Sequence, residues 1–280
     1  AIILVAPLGD NQQKEDACRH CCIRMTRKNR YMLDTVSNAL AVLDYVAESG
    51  YSTLTQISET LGINKTVVFR ILYTLQASGY IAKTETSTYT LGHKVILHGQ
   101  LALKHNAIHQ RVKSVLRDLT AQFNESSHMS LLDDSMNVLI VSKIDATATI
   151  QMSSNIGKTM PAYSSAMGKC LLAHTDPGRL KDYLNTAPFP RQTLTTLTTA
   201  AELEREFELI RSRGYAIDNE ESEEGLFCVA VPIANAKGQV YAAISLSGPS
   251  TRMINKTSQI IEQLPFVARE ISRLEAEPPQ

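Results

Sequence analysis

The segment from Lys65 to Thr74 combines cationic, hydroxyl and aromatic side chains at helical spacing. If it forms a helix that buries Val68, Ile71 and Leu72, the polar and aromatic groups share the outer face. The major groove of DNA admits an α-helix and presents hydrogen-bonding base edges to such a face. The segment therefore predicts contact with double-stranded DNA. The residues predicted to contact DNA are Thr53, Lys65, Thr66, Phe69, Arg70, Tyr73 and Lys83.

Three polar side chains interrupt apolar, strand-like runs in the second half of the chain. Cys228 lies within LFCVAV, and Ser245 and Ser247 lie two residues apart within AAISLS. Alternate residues of a strand point to the same face, so the two serines are expected to share one. Each of the three is either a small core residue, a solvated strand residue or part of a ligand site.

The stretch from Tyr163 to Lys169 is predicted to enter a helix. Its backbone amides and hydroxyls would then face the space outside the helix N-terminus, where the helix dipole favours an anion. The alternative is ordinary capping by Ser164 or Ser165, with Lys169 in solvent. The residues alone leave both interpretations open.

Two short helices are predicted to position the outer face of residues 65–74. Thr53 and Gln56 fit a capping box at the start of the first helix, and Gly62 fits its end. Asn64 is the expected N-cap of the second helix. This spacing is typical of a helix-turn-helix.

A hairpin is predicted to follow these helices. Residues 80–83 and 88–91 are β-prone and are joined by the polar tip 84–87, which suits a wing beside the phosphate backbone. The whole predicts a winged helix-turn-helix; the alternative is a small helical subdomain whose polar face is only solvated. A preceding helix is predicted from about Thr35 to Gly50, with Val36, Leu40, Leu43 and Ala47 on one face.

The composition is that of a soluble globular protein, with 280 residues, 44% hydrophobic and 20% charged. No apolar run is long enough to span a membrane, and no signal-peptide pattern surrounds residues 2–8, so a cytoplasmic location is expected. The formal net charge is +0, but residues 24–113 contain 11 Lys and Arg against 5 Asp and Glu, and residues 114–280 contain 15 against 20. This asymmetry is expected if only the front of the chain meets phosphates.

Three of the five cysteines lie near the N-terminus, at Cys18, Cys21 and Cys22, together with His20. A zinc site would need a further ligand at suitable spacing, so reduced thiols in a poorly ordered extension are favoured. No metal and no cofactor is predicted. Residues 1–30 are expected to be a disordered extension, whose basic end is either an arm on DNA phosphates or a solvated tail.

The second half of the chain predicts an α+β fold. Residues 93–107 are expected to form a linker helix whose apolar side offers a dimerisation surface or packs within the chain. The winged domain is then 31–92 and the second domain 108–280, with about six strands in a largely antiparallel sheet. Predicted strands are 128–132, 138–144, 147–152, 215–218, 226–233 and 240–247, and predicted helices are 165–174, 177–184, 201–213 and 254–275.

From about Thr35 to Arg273 the chain resembles the IclR family of bacterial transcription regulators. The resemblance rests on GINKTVVFRILYTLQASGYI with the wing end YTLG, on PAYSSAMGKCLLAH, and on RGYAIDNEESEEGLFCVAVPIANAKGQVYAAISLSGP. It implies a winged helix-turn-helix, a linker helix and a GAF-like α/β sandwich that binds an effector. It also implies a homodimer or a dimer of dimers on a palindromic operator.

The same resemblance implies that a small carboxylate metabolite controls DNA affinity. Hydroxyls and helix amides would donate to the carboxylate, and Asp218 would accept from a ligand hydroxyl. A sugar acid, a keto acid or an aromatic acid fits these residue types. The implied effector-binding residues are Ser165, Ala166, Met167, Gly168, Asp218, Cys228, Ser245 and Ser247.

One position departs from the family pattern. Members often carry Ser-Thr at the start of the second helix, whereas this chain has Thr66-Val67, so a hydroxyl contact is lost and base preference there is expected to differ. Two other hypotheses remain: an enzyme with Cys228 as nucleophile and His128 or His174 as base, and a ligand-free oligomerisation module. No GxSxG, HExxH or P-loop pattern occurs, so no catalytic residue is predicted.

Overall fold

A computed structural model describes residues 31–105, 107–148 and 155–276. The chain divides into two compact units after His105. The predictions for residues 1–30, including the cysteine group, lie outside the described residues. Within the described ranges, no helix is long and apolar enough to cross a membrane, and no cluster of His, Cys, Asp and Glu is suited to a metal ion.

The first unit has the predicted order of a winged helix-turn-helix. Tyr89 also forms an isolated bridge with Ser52, so a third chain segment joins the hairpin. The elements are α1 (Asp34–Ser49), α2 (Leu54–Leu61), α3 (Lys65–Ala77), β1 (Ile81–Lys83), β2 (Tyr89–Leu91) and α4 (His93–His105).

Local hydrogen bonds explain where α2 and α3 begin. The Thr53 backbone N–H donates to Gln56 Oε1 at 2.8 Å, and Gln56 N–H donates to Thr53 Oγ1 at 3.3 Å, which confirms the capping box. Gly62 ends α2 with φ 65°, a left-handed conformation that glycine adopts without steric cost. Asn64 Oδ1 then accepts from Thr66 N–H at 2.9 Å and caps α3. The turn between the two helices is therefore specified by the sequence.

The apolar face predicted for α1 is not the face that is buried. Val42 and Val46 are fully buried, whereas Val36 and Leu40 are 51% and 56% exposed. Apolar residues occur on more than one side of α1, so helical periodicity alone could not select the side that meets α3. The buried core of this unit consists of Val42, Val46, Ile57, Val68, Ile71, Leu72, Ile81 and Tyr89.

The second unit is built on a six-stranded sheet in which all neighbouring strands are antiparallel, in the order β5-β4-β3-β8-β7-β6. This confirms the predicted α+β class. The elements are α5 (Ala107–Phe123), β3 (Ser126–Leu132), β4 (Val138–Ile144), β5 (Thr159–Met160), α6 (Ala166–Leu172), α7 (Pro177–Leu184), α8 (Ala200–Arg213), β6 (Ala216–Asn219), β7 (Leu226–Ala234), β8 (Val240–Pro249), α9 (Ser250–Met253), a 3₁₀ turn (Ile254–Lys256) and α10 (Thr257–Ala276).

The predicted strand at 147–152 is not confirmed. Thr147 and Ala148 form a bend, and the rest of that range lies outside the described residues. The Thr147 N–H and hydroxyl both donate to Asn124 Oδ1, at 3.3 and 2.8 Å. The edge position beside β4 is instead taken by β5, which the sequence analysis did not predict.

Helices cover both faces of this sheet. One face packs against α6, α7 and α8, and the other against α5 and α10. Successive residues of β7 therefore enter two different cores, with Cys228 on the α6 side and Val229 on the α5 side. This explains why β7 is apolar almost throughout and why its one thiol faces α6.

Candidate functional site

The outer face of α3 is exposed, as predicted. Val68 and Leu72 are fully buried beneath it, while Phe69 and Tyr73 are 53% and 68% exposed. Lys83 is exposed in β1, with its Nζ 5.7 Å from the centroid of the Tyr89 ring. Six of the predicted DNA-contacting residues are thus exposed side chains of α3 and the wing: Lys65, Thr66, Phe69, Arg70, Tyr73 and Lys83.

Thr53 differs from those six residues. It is half-buried, and its hydroxyl both accepts from Gln56 N–H and donates to Gln56 Oε1 at 2.9 Å. Its observed contacts are therefore those of a helix cap. Val67, where the family often has a hydroxyl residue, is 39% exposed near the start of α3 and presents only methyl groups.

A cavity lies between α6 and the sheet of the second unit. Asp218 pairs with Cys228 across β6 and β7, and Cys228 pairs with Ser247 across β7 and β8, so strand register places the three in one row. Ser245 follows two residues away on the same face. The cavity has an empty volume of about 250 Å³, counting the part open to solvent. Its lining residues are Met160, Ser165, Ala166, Met167, Asp218, Ser222, Cys228, Ser245 and Ser247.

Gly168 is the one predicted effector residue that does not line this cavity. A Cβ on Gly168 would lie 2.2 Å from the Ala162 carbonyl oxygen, so glycine is required there for close packing of α6. Its N–H donates to Ser165 Oγ at 3.1 Å, which is the capping interpretation of this segment. The same interpretation placed Lys169 in solvent, and that was wrong because Lys169 is only 1% exposed.

Asp218 is held in place by three donors. Its Oδ1 accepts from the N–H groups of Glu221 and Ser222 at 2.8 and 3.3 Å, and its Oδ2 accepts from the Ser222 hydroxyl at 2.5 Å. Burial raises the pKa of Asp218, and these donors together with Lys169 partly oppose that rise. The carboxyl is thereby fixed at the cavity wall.

Lys169 lies behind the cavity in a buried ion pair. Its Nζ is 2.5 Å from Glu221 Oε1 and 3.9 Å from Glu206 Oε1. Glu206 in turn pairs with Arg213 at 2.7 Å within α8. Burial has the largest effect on Glu221 and raises its pKa to about 7, although the charge and the hydrogen bond of Lys169 oppose the rise. A buried charge network therefore joins α6, α8 and the loop after β6.

The serines of β8 differ in their hydrogen bonding. Ser247 Oγ lies 3.4 Å from Nδ1 of the fully buried His128. Burial lowers the pKa of His128 to about 3, so this imidazole is neutral at physiological pH. Ser245 is 1% exposed, and its hydroxyl has no hydrogen-bond partner among the described residues. Ser245 therefore brings an unused polar group to the cavity.

Cys228 does not have the environment of a nucleophile. Burial raises its pKa well above that of an ordinary cysteine, and the nearby Asp218 carboxylate adds to the effect. Thiols react as thiolates, so a protonated, desolvated thiol is inert. His174 Nδ1 lies 2.9 Å from the carbonyl oxygen of Cys170, within its own helical turn. Of the two predicted bases, His128 is a weak base because burial lowers its pKa to about 3, and neither His128 nor His174 lines the cavity.

Sequence reasoning missed four residues of this region. Met160 lies in the unpredicted strand β5, and Ser222 follows Glu220 and Glu221 in an acidic run that is typical of a solvated loop. Lys169 and Glu221 are far apart in the sequence, so no local pattern marks them as partners. The only available signal was the position of Lys169, one helical turn after Ser165 and on the same side of α6.

Comparison with known proteins gives consistent matches over most of the chain. Residues 35–85 match the family profile "IclR helix-turn-helix domain", and residues 100–273 match "Bacterial transcriptional regulator IclR C-terminal". The HTH-type transcriptional regulator KdgR of Escherichia coli is 34% identical over 244 residues, which cover 85% of this chain and 92% of KdgR.

Solved structures agree with these sequence matches. A transcriptional regulator from Rhodococcus sp. RHA1 is 26% identical with a TM-score of 0.72, covering 86% of this chain and 98% of its own. An IclR homolog from Microbacterium hydrocarbonoxydans, solved in complex with 4-hydroxybenzoate, is 20% identical with a TM-score of 0.70, covering 86% and 99%. The chain is therefore a DNA-binding transcriptional regulator that belongs to the IclR family.

Proposed function

We propose that this regulator controls a catabolic operon and that a small organic acid, bound in the cavity between α6 and the sheet, changes its affinity for operator DNA. The observation that carries the proposal is the buried hydroxyl of Ser245, which faces the cavity without a partner among the described residues. A buried polar group without a hydrogen bond costs about 1–3 kcal/mol. A ligand oxygen in the cavity would remove that cost.

The other lining residues favour a small oxygen-rich ligand. Ser245 and Ser247 offer hydroxyls from β8. Asp218 offers acceptor lone pairs from β6, on the other side of Cys228 in β7. Met160 and Met167 supply apolar walls that keep water away from these groups. The cavity is small, which favours a keto acid or a short sugar acid over a larger ligand.

The homolog solved with 4-hydroxybenzoate shows an aromatic acid bound to that protein. At 20% identity its resemblance to this chain supports the fold alone. An aromatic acid is therefore tested as well, beside a keto acid and a sugar acid.

Operator recognition is proposed to use a homodimer or a dimer of dimers. The face of α4 that carries Ile96, Leu97 and Leu101 is exposed within its own unit, which supports a second copy of the chain as its partner. Each copy would place one α3 in the major groove of one operator half-site.

A thermal-shift assay with pyruvate, D-gluconate and 4-hydroxybenzoate tests the ligand proposal. An acid at 100 times its Kd should stabilise the native protein by about 2.7 kcal/mol, because it binds the folded state only. Ser245→Ala should lose most of the shift. Ser212→Ala, which removes an exposed hydroxyl on α8, should keep it. If no acid raises the melting temperature, or if Ser245→Ala responds like the wild type, the cavity is not the effector site.

A further inference from the structure

We infer that the cavity takes its anionic ligand together with one proton, and that Glu221 is the group that holds this proton. This inference rests on the proposed function. It adds that pH controls the affinity of the cavity for its ligand.

The buried charges beside the cavity do not balance. Asp218 and Glu221 are 1% and 8% exposed, and among the described residues Lys169 is the buried cation that pairs with Glu221 and acts on Asp218. Glu206, 3.9 Å from Lys169 Nζ, has Arg213 as its own partner. With both inner carboxyls ionised, the group of Asp218, Glu221 and Lys169 carries one net negative charge before any ligand arrives.

The other elements packed around this group bring no compensating cation among the described residues. From β7, Cys228 presents a thiol whose pKa burial raises, so it is neutral. From β3, His128 is neutral because burial lowers its pKa to about 3. Lys143 in β4 and Asp145 just after it act on His128, and they pair with each other at 2.5 Å. An added anion beside Asp218 therefore meets an already negative, poorly solvated site.

Glu221 has an oxygen suited to accept the proton. Its Oε1 binds Lys169, but its Oε2 is buried and has no hydrogen-bond partner among the described residues. An ionised oxygen that has lost its water and gained no donor is costly, and protonation removes that cost. Burial raises the pKa of Glu221 to about 7, so the proton is available near neutral pH.

Hydrogen bonds fix the backbone of Glu221, and the contact with Lys169 holds its buried side chain. Its N–H donates to Asp218 Oδ1 at 2.8 Å, and its carbonyl oxygen accepts from the hydroxyls of Thr196 and Thr193 at 2.7 and 3.4 Å. These threonines lie between α7 and α8 and add no charge. Proton uptake is therefore the response open to this carboxyl when a second anion binds nearby.

The sign of the pH dependence follows from linkage. Below the pKa of ligand-free Glu221 the site already holds its proton, so ligand affinity is constant. Above about pH 7 each ligand must bring a proton, and affinity falls about tenfold per pH unit until the ligand-bound group also titrates. The proton comes from solvent and is released with the ligand.

Isothermal titration of the full-length protein with pyruvate and with D-gluconate tests this inference. The carboxyl groups of the two ligands stay ionised from about pH 6 to about pH 8.5. Any change of affinity with pH therefore comes from the protein. The affinity of the wild type should be constant below about pH 7 and should fall about tenfold per pH unit above it. At the alkaline end each bound ligand should bring about one proton, measured in buffers of different ionisation enthalpy. The Glu221→Gln protein should bind at every pH with the affinity that the wild type shows on its low-pH plateau.

Glu223→Gln is the matched control, because it removes an exposed carboxylate from the same loop and should keep the wild-type profile. Wild-type binding that is independent of pH and takes up no proton would overturn the inference and leave the proposed function intact. A Glu221→Gln protein that retains the wild-type slope would also overturn it. Absence of binding by either acid across this pH range would remove the proposed function, and the inference with it.

Discussion

Lys169→Met should lower the free energy of unfolding of the second unit by about 3–5 kcal/mol near pH 8. Lys169 is 1% exposed, and its ammonium group lies 2.5 Å from Glu221 Oε1. Methionine fills a similar volume but leaves the buried carboxylates of Glu221 and Asp218 without a cation. Urea denaturation followed by circular dichroism measures the change, and the loss should shrink near pH 5.5, where Glu221 is protonated.

Two variants separate burial from simple loss of charge. Lys158→Met removes an exposed lysine of the same unit and should change stability by less than about 0.5 kcal/mol. The double variant Lys169→Met with Glu221→Leu removes both charges and should recover much of the loss, since an apolar pair replaces a broken ion pair. A loss below about 1 kcal/mol for Lys169→Met would show that the buried pair is not a stabilising contact.

Arg70→Ala should weaken binding to operator DNA by about 10- to 100-fold, equivalent to about 1–3 kcal/mol. Arg70 is exposed on the outer face of α3, beside Phe69 and opposite the fully buried Val68. Its guanidinium group therefore has no structural role in the core, and in the proposed interface it would reach the groove. Fluorescence anisotropy on a duplex selected from a random pool by the wild-type protein measures the loss.

The salt dependence of Arg70→Ala identifies the kind of contact. A phosphate contact would weaken all sequences equally and reduce the salt slope by about 1, whereas a base contact would relax the preference at one position. Arg117→Ala removes an exposed arginine on α5 and should leave operator affinity unchanged. Operator affinity unaltered by Arg70→Ala would refute the assignment of α3 as the DNA-reading helix.

The helix-turn-helix was predictable because its signals are local. Thr53, Gln56, Gly62 and Asn64 determine the two helix boundaries within a few residues of themselves, and the observed hydrogen bonds are the ones that their side chains imply. The buried stripe of α3 follows directly from those boundaries. By contrast, α1 has apolar residues on several sides, and only the position of its partner helix decides that Val42 faces inward.

The charge network behind the cavity could not be predicted, because it depends on tertiary contacts. Lys169 and Glu221 are 52 residues apart, and Glu221 stands in an acidic run that is typical of a solvated loop. Strand register brings Asp218, Cys228 and Ser247 into one row, and that register was not predictable from alternation alone. The resemblance to a family supplied the residue set, while the structure supplied the partnerless hydroxyl of Ser245.

The most direct test of ligand-controlled DNA binding is the operator Kd measured with and without a saturating acid from the thermal-shift panel. We expect a change of about 5- to 150-fold, with the operator changing the affinity for the acid by the same factor, because coupling between two binding sites is reciprocal. Ser245→Ala should abolish the change while leaving the Kd in the absence of acid as in the wild type. An identical operator Kd with and without an acid that demonstrably binds would show that the ligand does not control DNA binding.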